Sequence, residues 1–166
     1  MKLAVKEARR KSKEKLKRWA TVFLATGGYA GFLPVAPGTF GSIVGVLIFW
    51  LFRDTSIVFQ IILATFISGI GVIVSEEANR IFNEPDSGRI VIDEIAGMLI
   101  TMIGIPATGY WIFWGFLLFR ILDVVKLPPA NIFDSKLKNG WGVMLDDVFA
   151  GLYGNIILHL MLRAQI

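Results

Sequence analysis

Three groups of ionisable residues interrupt apolar runs of helical length in this chain. They are Asp93-Glu94 in RIVIDEIAGMLITMIGI, Arg120 with Asp123 in YWIFWGFLLFRILDVVK, and Asp146-Asp147 in WGVMLDDVFAGLYGNIILHLML. Apolar runs of this length read as membrane spans, where an ionised group is costly unless paired, hydrated or bound to a metal. Four or five carboxylates brought close together cannot all ionise without a cation. Asp93, Glu94, Asp123, Asp146 and Asp147 offer oxygen only, a hard ligand set that suits Mg²⁺ or Mn²⁺ rather than zinc. The competing explanation is structural, since Asp93 and Asp146 lie near helix starts, where acids are favoured in any case. The recurrence of adjacent acids on two separate helices favours the metal site.

The same chain carries groups suited to an anion. Arg120 reads phosphate bidentately and shares a helix face with Asp123, which in turn shares it with Lys126; salt-bridging to Asp123 or non-specific contact with lipid phosphate is the competing reading of both cations. LPVAPGTFGS at 33–42 runs directly into a helix. Gly38 permits close backbone approach there, Thr39 and Ser42 supply hydroxyls, and free N–H groups at such a helix start bind phosphate. Pro-Gly-Thr before a helix is by itself most often only a cap, and GxxxxGK[ST] is absent. Neighbours on a helix point about 100° apart, so one member of each acid pair is expected to face the pocket while the other faces a flank.

These residues must be positioned by helices. The stretch 19–33 reads as a membrane-associated or re-entrant segment. Crossings are expected over about 40–53, 57–74, 90–105, 110–126 and 141–163, the first, third and fourth being short for a full crossing, with polar loops at 75–89, which has room for a helical start, and 127–140. The fold expected is all-α, a compact bundle of about five to six membrane helices. Residues 1–18 form a basic arm, and 19–166 a single domain. With the arm in the cytoplasm, 15 of the 17 Lys/Arg lie on that side and only Arg53 and Arg163 fall outside. This threading puts Gly38, Thr39 and Ser42, Asp93 and Glu94, Arg120, Asp123 and Lys126, and Asp146 and Asp147 at one membrane face, in a polar pocket at headgroup depth.

Composition narrows the function further. The 166 residues are 55% hydrophobic with mean hydropathy +0.65, as expected of a small integral membrane protein. Cysteine is absent and His159 is the single histidine, which excludes thiolate chemistry and any mechanism needing two histidines. Residues 1–18 hold nine Lys/Arg against two Glu, and the remainder eight against eleven acids. The arm reads as an anchor beside an anionic leaflet rather than a nucleic-acid contact, because no aromatic binding surface accompanies it. Gly41 with Gly45, Gly97 with Thr101, and Gly151 with Gly154 or Asn155 read as close helix contacts. His159 reads as packing or outer-interface anchoring.

With these motifs assembled, the chain resembles the phosphatidylglycerophosphatase A family. The matching stretches are LPVAPGTFGS (33–42), DSGRIVIDEIAGM (86–98), FRILDVVK (119–126), FD (133–134) and GVMLDDVFAG (142–151), in the family's order. The resemblance implies a bacterial inner-membrane enzyme that removes the terminal phosphate of an anionic phospholipid, phosphatidylglycerophosphate, with Mg²⁺. It also implies an all-helical bundle with one helix surrounded by others. On this reading the five acids hold the metal, directly or through water. Arg120, Lys126, Gly38, Thr39 and Ser42 hold the phosphate. A small membrane cation transporter is the alternative, but it should place charge near the midplane or on both sides of it.

Overall fold

Glycine, proline and capping side chains punctuate an all-helical chain. The computed structural model describes residues 2–128 and 139–164. Helix α1 spans Lys2–Ala25 and ends at Gly27 and Gly28, both at positive φ (54° and 68°). A 3-10 turn, Ala30–Phe32, leads to α2, Pro37–Leu51, which starts with proline in its first turn. Helix α3, Ile57–Phe82, begins where the Ser56 hydroxyl accepts from the Phe59 N–H and ends at left-handed Asn83. Helix α4 covers Ile92–Thr101, and α5 covers Gly109–Val125, capped by Thr108. Helix α6, Gly140–Arg163, is capped by the Asn139 side chain, which accepts from the Trp141 and Gly142 N–H groups.

The expected boundaries shift in three places, each for a physical reason. The arm and the segment from 19 are one helix: α1 runs unbroken through residue 18 to Ala25. Helix α3 continues past 74 to Phe82, since Ala78 packs into the core and Glu76 and Glu77 pair with Arg80 along the last turns. Helix α4 is only ten residues, closed off by the turn at Gly104 (φ 71°). At 1.5 Å per residue it is about 15 Å long, half the hydrocarbon thickness, so the run at 90–105 does not cross on its own. The FD acid Asp134 lies outside the described residues.

Helix α4 is the axis of the molecule. Every residue in it except Glu94 is buried, and it packs against α2, α3, α5 and α6. Its Met98, Leu99 and Ile100, with Met102, meet Phe49, Phe119, Ala150 and Leu158 in one apolar core. The outside is also apolar: Leu47, Val58, Ile62, Phe66, Ile73, Phe113, Ile156 and Leu160 are all exposed. A contiguous greasy exterior marks a surface built for a membrane or a partner. Among the described residues, two helices, Ile57–Phe82 and Gly140–Arg163, are long and apolar enough to cross a bilayer, while α2 is shorter, at 15 residues.

Candidate active site

Glycines let two helices close on α4 behind its acid-bearing end. A Cβ on Gly41 would sit 2.7 Å from Val91 Cβ, and one on Gly45 would sit 2.8 Å from Met98 Cβ, so α2 lies directly on α4. On the other side, a Cβ on Gly151 would lie 2.5 Å from the Gly97 carbonyl oxygen, so α6 is equally close. The α4 start is fixed from behind, where the Val91 N–H donates to the Ala25 carbonyl at 2.8 Å. Asp93 and Glu94 therefore occupy the first turn of a helix held on all sides. At that positive end the Asp93 carboxylate accepts the Glu94 N–H at 3.1 Å.

The result is a cluster of carboxylates. Asp93, Glu94 and Asp147 each bring a carboxylate oxygen within 4.8 Å of the other two. The Asp93 and Glu94 carboxyls abut each other, and Asp123 from the end of α5 abuts Asp147. The Arg120 guanidinium lies 2.7 Å from the Asp123 carboxylate and donates to the Ser42 hydroxyl at 3.5 Å. Gly38, in the first turn of α2, lies against the Glu94 carboxylate and the Arg120 guanidinium, so a Cβ there would push the carboxylate from its place.

All ten residues singled out in the sequence lie on this pole, but not in the roles equally expected. The acid pair on α6 splits as helical geometry demands: Asp147 faces the cluster, and Asp146 turns to Lys126 at 2.9 Å. The pair on α4 does not split, and both acids join the cluster. Lys126, at left-handed φ 48° where α5 ends, is thereby a partner of Asp146. Ser42 is wholly buried and donates back to the Gly38 carbonyl at 3.0 Å, so it steadies Arg120 rather than facing open space. Pro37 has no N–H, and Thr39 and Phe40 both donate to the Ala36 carbonyl. What this turn offers an anion is the Gly38 amide beside Arg120, not the fuller set of N–H groups expected.

One positioning contact was not anticipated. Glu76 on α3 accepts the Gly140 N–H at 2.9 Å and clamps the start of α6, seven residues ahead of Asp147. Its only trace in the sequence is a pair of glutamates in a polar stretch, which reads equally well as a solvated helix end.

The donor set fits a hard divalent cation. The ligand atoms are all carboxylate oxygens, close enough to share an ion and repulsive without one. Glu94 Oε2 is buried and has no hydrogen-bond partner, an arrangement native proteins rarely leave unresolved. Arg120 and the Gly38 amide stand beside this cluster with donors for a phosphate.

Comparison with known proteins agrees with this chemistry. The family model for phosphatidylglycerophosphatase A matches residues 23–162. A Haemophilus influenzae protein named phosphatidylglycerophosphatase A is 34% identical over 137 residues, covering 81% of this chain and 84% of its own length. Its Escherichia coli namesake is 35% identical over 139 residues, covering 82% and 80%. A Bacteroides thetaiotaomicron protein, provisionally named a phosphatidylinositol-3-phosphatase, is 34% identical over 148 residues, covering 82% and 90%. No solved structure matches. With a buried carboxylate cluster, an adjoining guanidinium and relatives matched along most of its length, the chain belongs to the phosphatidylglycerophosphatase A family and is a phosphoric monoester hydrolase.

Proposed function

We propose that the protein hydrolyses the terminal phosphomonoester of phosphatidylglycerophosphate to phosphatidylglycerol and phosphate. The proposal includes Mg²⁺ dependence and an active site at the cytoplasmic face of a bacterial inner membrane. The observation that carries it is the meeting of Asp93, Glu94 and Asp147 beside Arg120 and Gly38 at a single pole of an apolar-surfaced bundle. A transporter's charges would be spread along the path across the bilayer; here they gather at one end.

Asp93, Glu94 and Asp147, with Asp123 beside them, would hold Mg²⁺. When bound, the ion polarises phosphoryl oxygens and makes water a better nucleophile near neutral pH. Arg120 holds the non-bridging oxygens and meets the charge that grows on them in the transition state. Asp123 grips Arg120 at 2.7 Å and keeps the guanidinium aimed. The Gly38 amide adds a donor beside it. A carboxylate oxygen of this cluster that the ion leaves free would take the proton from the attacking water. Lys126 holds Asp146 at 2.9 Å and keeps it out of the repulsive cluster. The acyl chains stay in the leaflet while the headgroup phosphate reaches the pole.

Purified protein is assayed for phosphate release from phosphatidylglycerophosphate and from phosphatidylinositol 3-phosphate, with Mg²⁺ and with a chelator. Faster release from phosphatidylglycerophosphate, lost with the chelator and in Glu94→Gln, is the expected result. Preference for the phosphoinositide would move the substrate to the chemistry named for the Bacteroides relative. Cation flux without phosphate release would replace the hydrolase reading altogether.

A further inference from the structure

The family match begins at residue 23, so most of α1 lies outside the part of the chain that the hydrolase reading explains. Lys6, Arg9, Arg10, Lys13 and Lys17 recur at helical spacing and share one face of α1. Ion pairs take up some of the charge: Glu7 pairs with Lys11, Glu14 with Arg10, and Lys17 with Glu77 on α3. They leave Lys6, Arg9 and Lys13 as an exposed cationic stripe.

Two further features say what the stripe meets. Directly after it come exposed Trp19, Phe23 and Leu24. Trp19 stacks on Phe23 at 5.4 Å between centroids, and Tyr29 and Phe32 continue the aromatic row. Aromatic rows next to lysines and arginines are the mark of the headgroup layer, where the rings sit shallow and the cations meet lipid phosphate. The helix is also anchored to the catalytic pole. Lys17 holds Glu77 at 3.0 Å, and the Ala25 carbonyl accepts the Val91 N–H one residue before α4. Where α1 rests fixes the height of Asp93 and Glu94.

We propose that α1 is an electrostatic docking helix for an anionic phospholipid leaflet, and that leaflet charge thereby sets how readily a lipid phosphate engages the carboxylate cluster. The occupant is the lipid surface rather than nucleic acid, because the stripe leads into an aromatic row and the bundle behind it is apolar outside. This inference rests on the lipid phosphatase reading above.

The test uses the full chain reconstituted in vesicles that are neutral or contain roughly one-third anionic lipid. The variant is Lys6→Gln/Arg9→Gln/Lys13→Gln, none of which belongs to the catalytic pole. In the unaltered chain KM for the lipid substrate should be about tenfold lower in anionic than in neutral vesicles, with kcat unchanged. The variant should lose most of that difference, and salt of about 0.5 M should abolish it in the unaltered chain. Equal KM ratios in the two proteins would overturn the proposal. So would the same loss on a short-chain substrate presented in neutral detergent, which would mark a folding effect.

A second readout needs no turnover. The chain has no cysteine, so Ser12→Cys takes a single fluorescent label. Stronger quenching by headgroup-borne quencher in anionic than in neutral vesicles supports the proposal, even if no lipid phosphate is hydrolysed. Equal quenching, or capture of the arm by duplex DNA regardless of leaflet charge, overturns it.

Discussion

The two ends of α4 are opposites. At its C-terminal end, side chains of neighbouring helices meet the backbone groups that the short helix leaves open. Asn155 donates to the Thr101 and Ile103 carbonyls at 3.0 and 2.9 Å, His159 Nε2 lies 3.1 Å from the Ile103 carbonyl, and Gln60 accepts the Gly104 N–H. At its N-terminal end, acids face acids, and Glu94 Oε2 has no hydrogen-bond partner. A ten-residue helix in an apolar bundle exposes carbonyls at one terminus and N–H groups at the other. The fold satisfies the first set internally and loads the second with negative charge. The difference teaches where to look for chemistry: at the terminus where protein groups alone do not close the electrostatics.

Substitutions can break that contrast, and the largest effect is expected at the acid end. Asp147→Asn keeps the shape of the side chain but removes a cluster charge. It should cut phosphate release by at least about a hundredfold while circular dichroism and the unfolding midpoint stay near those of the parent. Full activity in a folded variant would remove the cluster from the mechanism. Gly38→Ala comes next. Its methyl would run into the Glu94 carboxylate, so activity should fall roughly ten- to a hundredfold by misplacing that group, with a smaller effect on stability.

At the carbonyl end the ranking of readouts reverses. Asn155→Leu leaves the Thr101 and Ile103 carbonyls without their amide donor, which should cost about 1–3 kcal/mol of stability. Activity per folded molecule should hold, and a selective loss of turnover would erase the division of labour between the ends. The smallest effect is expected in the loop leading to the acid end. The Ser87 hydroxyl, and then Arg89, hold the Glu84 carboxyl below its ordinary 4.5. A lowered value means the contact stabilises above that pH and is lost as pH falls through the folded-state value. Ser87→Ala should therefore be slightly less stable than the parent near neutrality, and the difference should vanish as the pH falls through the folded-state value.

Much of the acid end was legible in the sequence because it is written in local spacing. Asp93-Glu94, Arg120 with Asp123, and Asp146-Asp147 sit inside apolar runs where charge has few bland explanations. The helices carrying the last two groups fall within a residue of their expected limits. The splitting of Asp146 from Asp147 follows from the helical period, whereas its partner Lys126 comes from another helix and depends on packing. The carbonyl end was illegible for the same reason. Gln60, Asn155 and His159 come from α3 and α6, and nothing in their neighbours announces that they converge on residues 101–104. Helix α4 itself was overestimated, since apolar residues continue past Thr101 into the turn at Gly104 and hydropathy does not distinguish a turn from a helix when both are buried.

The enclosure of α4 has a consequence for how the molecule is made. Its walls come from helices on both sides of it in the chain: α2 and α3 emerge before it, α5 and α6 after. The socket cannot exist when α4 leaves the ribosome, so the segment waits, short and acidic, for its later neighbours. Contacts between distant parts of a chain form slowly. Catalytic competence therefore arrives with the docking of α6 and not before, and hydrolysis is itself a reporter that folding has finished.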